Sequence, residues 1–337
     1  MLKKLVLVVC LLGLIAAGGL GWSYQQVKSS LDQSVLNKED VLLTVKSGTS
    51  YRGLLNQLAR DNIVGQSPWM RWIPKIEPQL AQLKTGTYQI LPAMTLRDVL
   101  ALVASGHEYQ YSITLVEGGR FVDWLALLNQ APSVVHKTEG MSEAEIAKAI
   151  GADNTKLEGF LLPETYHYTA GTTDLELLRR AYRDMNTVLS DAWTSRDQAT
   201  PLKSPYEALI MASIIEKETA VDAERGVVSS VFMNRLKKGM RLQTDPTVIY
   251  GMGDKYDGNI RKRDLRTPTP YNTYTILGLP PTPIAMPSKA SVLAAVKPEQ
   301  SGFYYFVADG KGGHKFSKNL TEHNRAVRAY LRTLRNK

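Results

Sequence analysis

Apolar positions in this chain follow three rhythms. From Leu5 to Trp22 they run unbroken by charge, about 18 residues, enough to cross a bilayer. From Leu42 onward short β-prone runs alternate with glycine turns and helical stretches. Leu42-Leu-Thr-Val45 leads through Lys46-Ser47-Gly48 into a helix over 51–58, and Ser112-Ile-Thr-Leu115 leads through Glu117-Gly118-Gly119 into a helix over 121–128. The two look like versions of one small α+β unit. Between them a helix over 67–76 breaks at Pro74, Thr87-Tyr-Gln-Ile90 is a strand, and Thr95 caps a helix to Ala104. From Thr173 onward the period becomes helical. Helices are predicted to about Ala192, from Ser204, from Asp222 to Gly239 and from Thr321 to Leu334. A shorter helix covers 142–150. Gly302-Phe-Tyr-Tyr-Phe-Val307 is a buried-type strand, returned by Asp309 to Gly313 into His314-Lys-Phe316.

Lys3 and Lys4 precede the apolar run, which favours an N-terminus left in the cytoplasm. A cleaved signal peptide would have a shorter apolar region ending at a small-x-small site. The uncharged run continues past Ala16-Ala17-Gly18 to Trp22, so an uncleaved anchor is expected. Cys10 follows Val9, where a lipidation site needs a small residue, and most of the apolar run lies after it. Ser23 to Asp40 is mostly polar and reads as a linker.

The stretch Met211-Ala-Ser-Ile-Ile-Glu216-Lys-Glu218 turns abruptly from apolar to acidic. Ser204-Pro205-Tyr206-Glu207 before it has the form of a capping box with proline at the first helical position. At 100° per residue, Ile210, Met211, Ile214 and Ile215 form one apolar arc with Glu218 near its middle. Glu216 falls on the other side, beside Leu209 and Ala212. Desolvation on an apolar face favours a neutral carboxyl, which is what a general acid requires near neutral pH. The bland alternative is a helix that frays into solvent at its acidic end.

Composition narrows the chemistry. The 337 residues are 44% hydrophobic and 22% charged, ordinary for a globular protein, with a net charge of +9 that suits anionic headgroups or an anionic polymer. No zinc-finger spacing or aromatic-basic array points to nucleic acid. There is no Gly-rich phosphate loop, no Gly-x-Ser-x-Gly and no His-Glu-x-x-His. His314 and His323 are too far apart to form a helical metal pair. No cofactor and no metal are expected. The single cysteine, Cys10, allows no disulfide framework.

Arg241 to Pro287 contains seven prolines and reads mostly as loop. Within it, Leu242-Gln243-Thr244-Asp245-Pro246 brings amide, hydroxyl and carboxylate together, though Asp245-Pro246 also suits a helix start. Tyr271-Asn272-Thr273-Tyr274 flanks an amide with two aromatic rings. Rings stack on sugars and amides bond hydroxyls and N-acetyl groups, so these loops beside an acidic helix favour a carbohydrate site. His314 is a candidate lining residue, or the cap of its own turn.

Ala212-Ser-Ile-Ile-Glu-Lys-Glu218, Asn234-Arg235-Leu236, Leu242-Gln-Thr-Asp-Pro246, Tyr271-Asn-Thr-Tyr274, Gly278-Leu-Pro-Pro281 and Phe306-Val-Ala-Asp-Gly310 with His314 resemble the YceG-like family of endolytic murein transglycosylases. Glu158-Gly159 and Pro163-Glu164-Thr165-Tyr166 resemble its upstream motif. The strand, the turn Lys46-Ser-Gly48-Thr49 and the helix after it resemble a LysM module, with Thr49-Ser50 where that module has an aspartate-threonine pair. The resemblance implies a bacterial inner-membrane protein with a periplasmic catalytic domain. It would cut nascent peptidoglycan between N-acetylmuramic acid and N-acetylglucosamine, without water, leaving a 1,6-anhydro ring. One glutamate would serve as acid and base, and likeness to the helix of other lytic transglycosylases points to Glu218. Gln243, Asp245, Tyr271, Asn272, Tyr274 and His314 would bind substrate. Glu216 and Glu164 would support the site from behind, Glu216 as a structural residue or paired with a cation such as Arg235. Peptidoglycan strands, the inner membrane and peptidoglycan synthases are the expected partners.

The expected architecture is α+β: an N-terminal transmembrane helix, LysM-like modules and a mixed α+β catalytic domain. Its boundaries are an anchor over 1–25, a linker over 26–40, a LysM-like module over 41–110, a connecting region over 111–200 and a catalytic domain over 201–337. Two other readings stay open at this stage: a non-catalytic peptidoglycan-binding scaffold, and a hydrolase that uses water.

Overall fold

The computed structural model describes residues 2–335. It is a mixed α+β chain that divides into two compact units, Met1–Tyr111 with His167–Ala170 and Ser112–Tyr166 with Gly171–Lys337.

In the first unit, helix α1 (Leu2–Leu31) carries an 18-residue window of mean hydropathy 2.4, none of it buried. It is long and apolar enough to cross a membrane. It does not stop where the polar composition suggests a linker. Val27 and Leu31, one helical turn apart, are buried, and Val35 follows them into the core. The polar faces around them disguise an amphipathic continuation of the same helix. Strand β1 (Val41–Val45) pairs antiparallel with β2 (Gly86–Ile90), from Val41 opposite Ile90 to Val45 opposite Gly86. Leu43, Val45, Tyr88 and Ile90 point into one core with Leu54 and Leu58 of α2 (Tyr51–Arg60). Helix α3 (Ile73–Ile76) starts at Trp72 with Pro74 inside its first turn, so proline opens this short helix rather than breaking a longer one. Helix α4 (Leu96–Ser105) has the reciprocal Thr95–Asp98 capping box and ends on Gly106 in the left-handed conformation.

Strand β3 (Tyr111–Leu115) pairs with β4 (Glu164–Tyr168), both with most of their residues in the second unit, and α5 (Phe121–Leu128) and α6 (Glu143–Ile150) lie between them in sequence. The strand–turn–helix repeat is visible in the backbone: Gly48 and Gly118 occupy matching turns at φ +79° and +71°. Helices α7 (Asp174–Thr194), α8 (Pro205–Glu218), α9 (Asp222–Lys237) and α11 (Lys289–Val296) surround the core, with α8 packed against the other three. All eight residues from Ala208 to Ile215 are buried. The helical wheel of α8 divides it into an apolar arc and an opposite side, but both sides are covered: Leu209 and Ala212 are as inaccessible as Ile214. A helix apolar all round belongs at the centre of a domain. Its cap also differs from the reciprocal form. Ser204 accepts the Glu207 N–H, but the Glu207 carboxylate reaches back to the Lys203 N–H at 2.6 Å.

The proline-rich segment is less irregular than its composition suggests. It contains α10 (Asp245–Met252), opened by Pro246, and two single 3₁₀ turns. Strands β5 (Tyr305–Ala308) and β6 (His314–Ser317) form an antiparallel hairpin, and α12 (Leu320–Arg335) follows.

Candidate active site

Glu218 is the last residue of α8, where the helix gives way to extended backbone at Thr219. It lines a cavity of about 220 Å³ with Arg235, Gln243, Asp245, Tyr274, Phe306 and His314. Desolvation pushes its carboxyl up to about 7, and the neighbouring Asp245 charge pushes the same way. A hydrogen bond from the Thr244 hydroxyl to Oε1, together with the positive fields of His314 and Arg235, pulls it part of the way back. The negative end of the helix dipole also disfavours an anion at this position. The result is an acid that holds its proton near neutrality and has a donor ready for the ionised form.

Thr244 is the N-cap of α10, but its side chain does not cap the helix; it turns to Glu218. Thr244 is itself fixed, with its N–H bonded to the Thr273 hydroxyl at 3.0 Å and its carbonyl accepting from Thr247 at 2.8 Å. Asp245, the first residue of α10, accepts from the Tyr274 hydroxyl at 2.6 Å. Gln243 sits at φ +51°, a conformation that non-glycine residues adopt at a cost, and this tight bend keeps Thr244 and Asp245 on the cavity wall. Arg235 holds the bend. Its Nη1 donates to the Leu242 carbonyl at 2.9 Å and to Gln243 Oε1 at 3.3 Å, and its Nε donates to the Tyr304 carbonyl at 2.7 Å.

The candidate residues separate into groups. Gln243, Asp245, Tyr274 and His314 share the Glu218 cavity. Tyr271 lies on another cavity, its ring 4.9 Å from that of Tyr250 and its hydroxyl 2.8 Å from that of Thr282. Asn272 has no exposed surface; its amide donates to the carbonyls of Asp264 and Thr267 and accepts the Tyr274 N–H, which makes it the internal brace of its loop. Glu164 is exposed on β4, its carboxylate on the N–H of the next residue. Glu216 does not pair with Arg235. It accepts from the N–H and hydroxyl of Ser288, at 2.8 and 2.5 Å, and so anchors the N-cap of α11.

Two carboxylates escaped sequence reasoning. Glu224 accepts the His314 N–H at 2.9 Å and faces its Nδ1 at 2.8 Å, fixing the imidazole on the cavity wall. Both residues are plain in the sequence, but 90 positions separate them. Glu158 is buried, and its carboxyl accepts from the Phe121 N–H at 3.1 Å and the Tyr250 hydroxyl at 3.3 Å. Burial pushes it up to about 7 as well. Its signal in the sequence is its place at the head of the apolar run Gly159-Phe-Leu-Leu162, six residues before Glu164.

The chain that carries this site matches the model of the YceG-like family. The family's model matches residues 43–329, and this chain belongs to it. An endolytic murein transglycosylase of Bacillus subtilis is 30% identical, over 88% of this chain and 86% of that protein. Another, of Streptococcus pneumoniae, is 26% identical over 95% of this chain, which spans 64% of that longer protein. A solved YceG-like protein of Listeria monocytogenes matches with a TM-score of 0.52 and 27% identity, over 86% of this chain and 99% of that one.

Proposed function

We propose that this protein is an endolytic murein transglycosylase that cleaves the bond between N-acetylmuramic acid and N-acetylglucosamine, with Glu218 as its one acid and base. The observation that carries the reading is the Glu218 carboxyl, raised to about 7 by burial beside a ready hydroxyl donor. In the protonated form it gives its proton to the glycosidic oxygen as the C1–O bond breaks. The carboxylate left behind accepts the Thr244 hydroxyl bond and faces the developing oxocarbenium ion. It then takes the proton of the muramoyl 6-hydroxyl as O6 bonds to C1. The anhydro ring closes, the acid is restored and no water is consumed. Ordinary glycosidases use a pair of carboxylates. In this cavity the other carboxylate, Asp245, is held by the Tyr274 hydroxyl. Gln243, Tyr274 and His314 bind the flanking sugars.

Helix α1 serves as a single-pass anchor with its N-terminus in the cytoplasm, which puts the catalytic residues in the periplasm at the inner membrane. Lys3 and Lys4 support that orientation. Residues 41–110 act as a LysM-like glycan-binding module; the antiparallel β1–β2 pair covered by α2 and α4 supports this. A nascent-strand substrate makes peptidoglycan synthases the expected neighbours. The deciding experiment is mass spectrometry of purified sacculi digested by the full-length protein. Anhydro-muramoyl ends are expected. New reducing ends would make it a hydrolase, and no cleavage would make it a scaffold.

A further inference from the structure

The catalytic scheme leaves a second cavity unused. It has a volume of about 370 Å³, and its walls include Glu158, Arg120, Lys156, Tyr250, Tyr271 and Thr282. Through Arg120 and Tyr250 it shares walls with a further depression that follows α10 past Pro246 and Ile249. Helix α10 therefore has Asp245 on the Glu218 cavity and Tyr250 on this one.

Glu158 is its distinctive wall. The residue is 8% exposed, and the donors to its carboxyl are the neutral Phe121 N–H and Tyr250 hydroxyl. Burying an acid this way costs stability that an apolar side chain of the same size would not. The backbone is built to hold it there. Gly159 sits at φ +84°, and a Cβ on it would lie 2.4 Å from the Cβ of Pro283. Two cations stand at the mouth, and the Glu143 carboxylate lines the same cavity. Arg120 is partly exposed, 4.0 Å from Asp123, and Lys156 is exposed with its Nζ 2.8 Å from Glu143. The tilted Tyr250–Tyr271 pair supplies an apolar surface between mouth and floor.

We propose that this cavity receives the short acidic peptide that a muramoyl residue of the strand carries, away from the bond being cut. The inference rests on the murein reading above. A strand without peptides brings only the lactyl carboxylates next to its sugar rings, whereas the peptide carries carboxylates farther from the ring, within reach of two cations at a mouth. Arg120 and Lys156 face those carboxylates at the mouth. Glu158, holding its proton below about pH 7, donates to a peptide carbonyl, and the tyrosine rings cover the methyl and methylene groups.

The test compares strands from the same sacculi with their peptides intact or stripped by an amidase, which leaves only the lactyl carboxylate. Wild-type protein should cleave the intact strands with a KM roughly ten-fold lower, the scale of charge-assisted contacts at a partly exposed site. In the double variant Arg120→Ala, Lys156→Ala that ratio should collapse towards one through KM on intact strands. Circular dichroism checks that the double variant folds. Glu158→Leu, which has no donor, should also lower the ratio. Equal KM for both substrates in the wild type would overturn the proposal. So would an equal loss of rate on both substrates in the variants, which would make this wall part of the chemistry or of the scaffold. Failure of the wild type to cleave either substrate would instead overturn the murein reading.

Discussion

Glu218 and Glu158 share one chemistry and differ in what surrounds it. Desolvation pushes both carboxyls up to about 7. Helix α10 serves both, through the Thr244 hydroxyl at its cap and the Tyr250 hydroxyl near its other end. Around Glu218 the cavity is polar, with a guanidinium, an imidazole, an amide and a second carboxylate. Around Glu158 the donors are a backbone N–H and a phenol, with Arg120, Lys156 and the Glu143 carboxylate also lining the cavity. A raised pKa therefore marks a site without assigning its role. The groups facing the acid decide whether it transfers a proton or holds one.

The comparison breaks most directly at the chemical step. Glu218→Gln keeps the shape and removes the transferable proton, so anhydro-product formation should fall by ~100- to 10,000-fold or more, one group having both roles. Glu158→Gln should lose far less, because the amide still donates where the protonated acid did. Glu216→Gln should also lose less, because that side chain anchors α11 at Ser288. Circular dichroism checks that all three fold. A folded, near-normal Glu218→Gln beside a dead Glu158→Gln would exchange their roles.

Next in size is the backbone beneath Glu158. Gly159→Ala places a Cβ against Pro283 in a left-handed conformation, and should cost about 2–4 kcal/mol in denaturant melts. Gly151 is also left-handed, but its Cβ would meet nothing within 4 Å. Gly151→Ala should therefore cost only about 1–2 kcal/mol, the conformational part.

The two glutamates should behave alike in stability. Each has a folded pKa raised above the ordinary carboxylate value, so the native state binds the proton more tightly than the unfolded chain. Stability is then full below about pH 4.5 and declines as pH rises towards 7. Each should cost on the order of 3 kcal/mol at the upper end of that window. Thermal melts of Glu218→Gln and Glu158→Gln should gain on the wild type between pH 5 and pH 8. A gain for one variant alone would show that the environments differ in burial as well as in role.

The smallest expected effect concerns Thr244. Thr244→Val removes the hydroxyl that favours the ionised carboxylate, so the Glu218 pKa should rise further. The alkaline limb of the pH–rate profile should move to higher pH, with a few-fold loss in kcat. No movement of the limb would mean that this hydroxyl does not tune the acid.

Local patterns carried much of this protein. The uncharged run to Trp22, the caps at Thr95, Ser142 and Thr173 and the glycine turns at Gly48 and Gly118 are written within a few residues of one another, and so the sequence itself determined them. The acidic end of α8 is equally local, and it singled out Glu218. What the tertiary structure decided depends on what stands opposite. Leu209 and Ala212 lie on the second side of α8, and only the packing of α7, α9 and α11 shows that side to be core. Polar spacing concealed Val27 and Leu31 until a core formed to receive them. Asn272 and Tyr274 are two residues apart, yet one braces a loop and the other faces the cavity. Glu158 is an ordinary acidic residue in the sequence. Its burial comes from partners at Phe121 and Tyr250, 37 and 92 positions away, and desolvation is a property of that assembled surrounding.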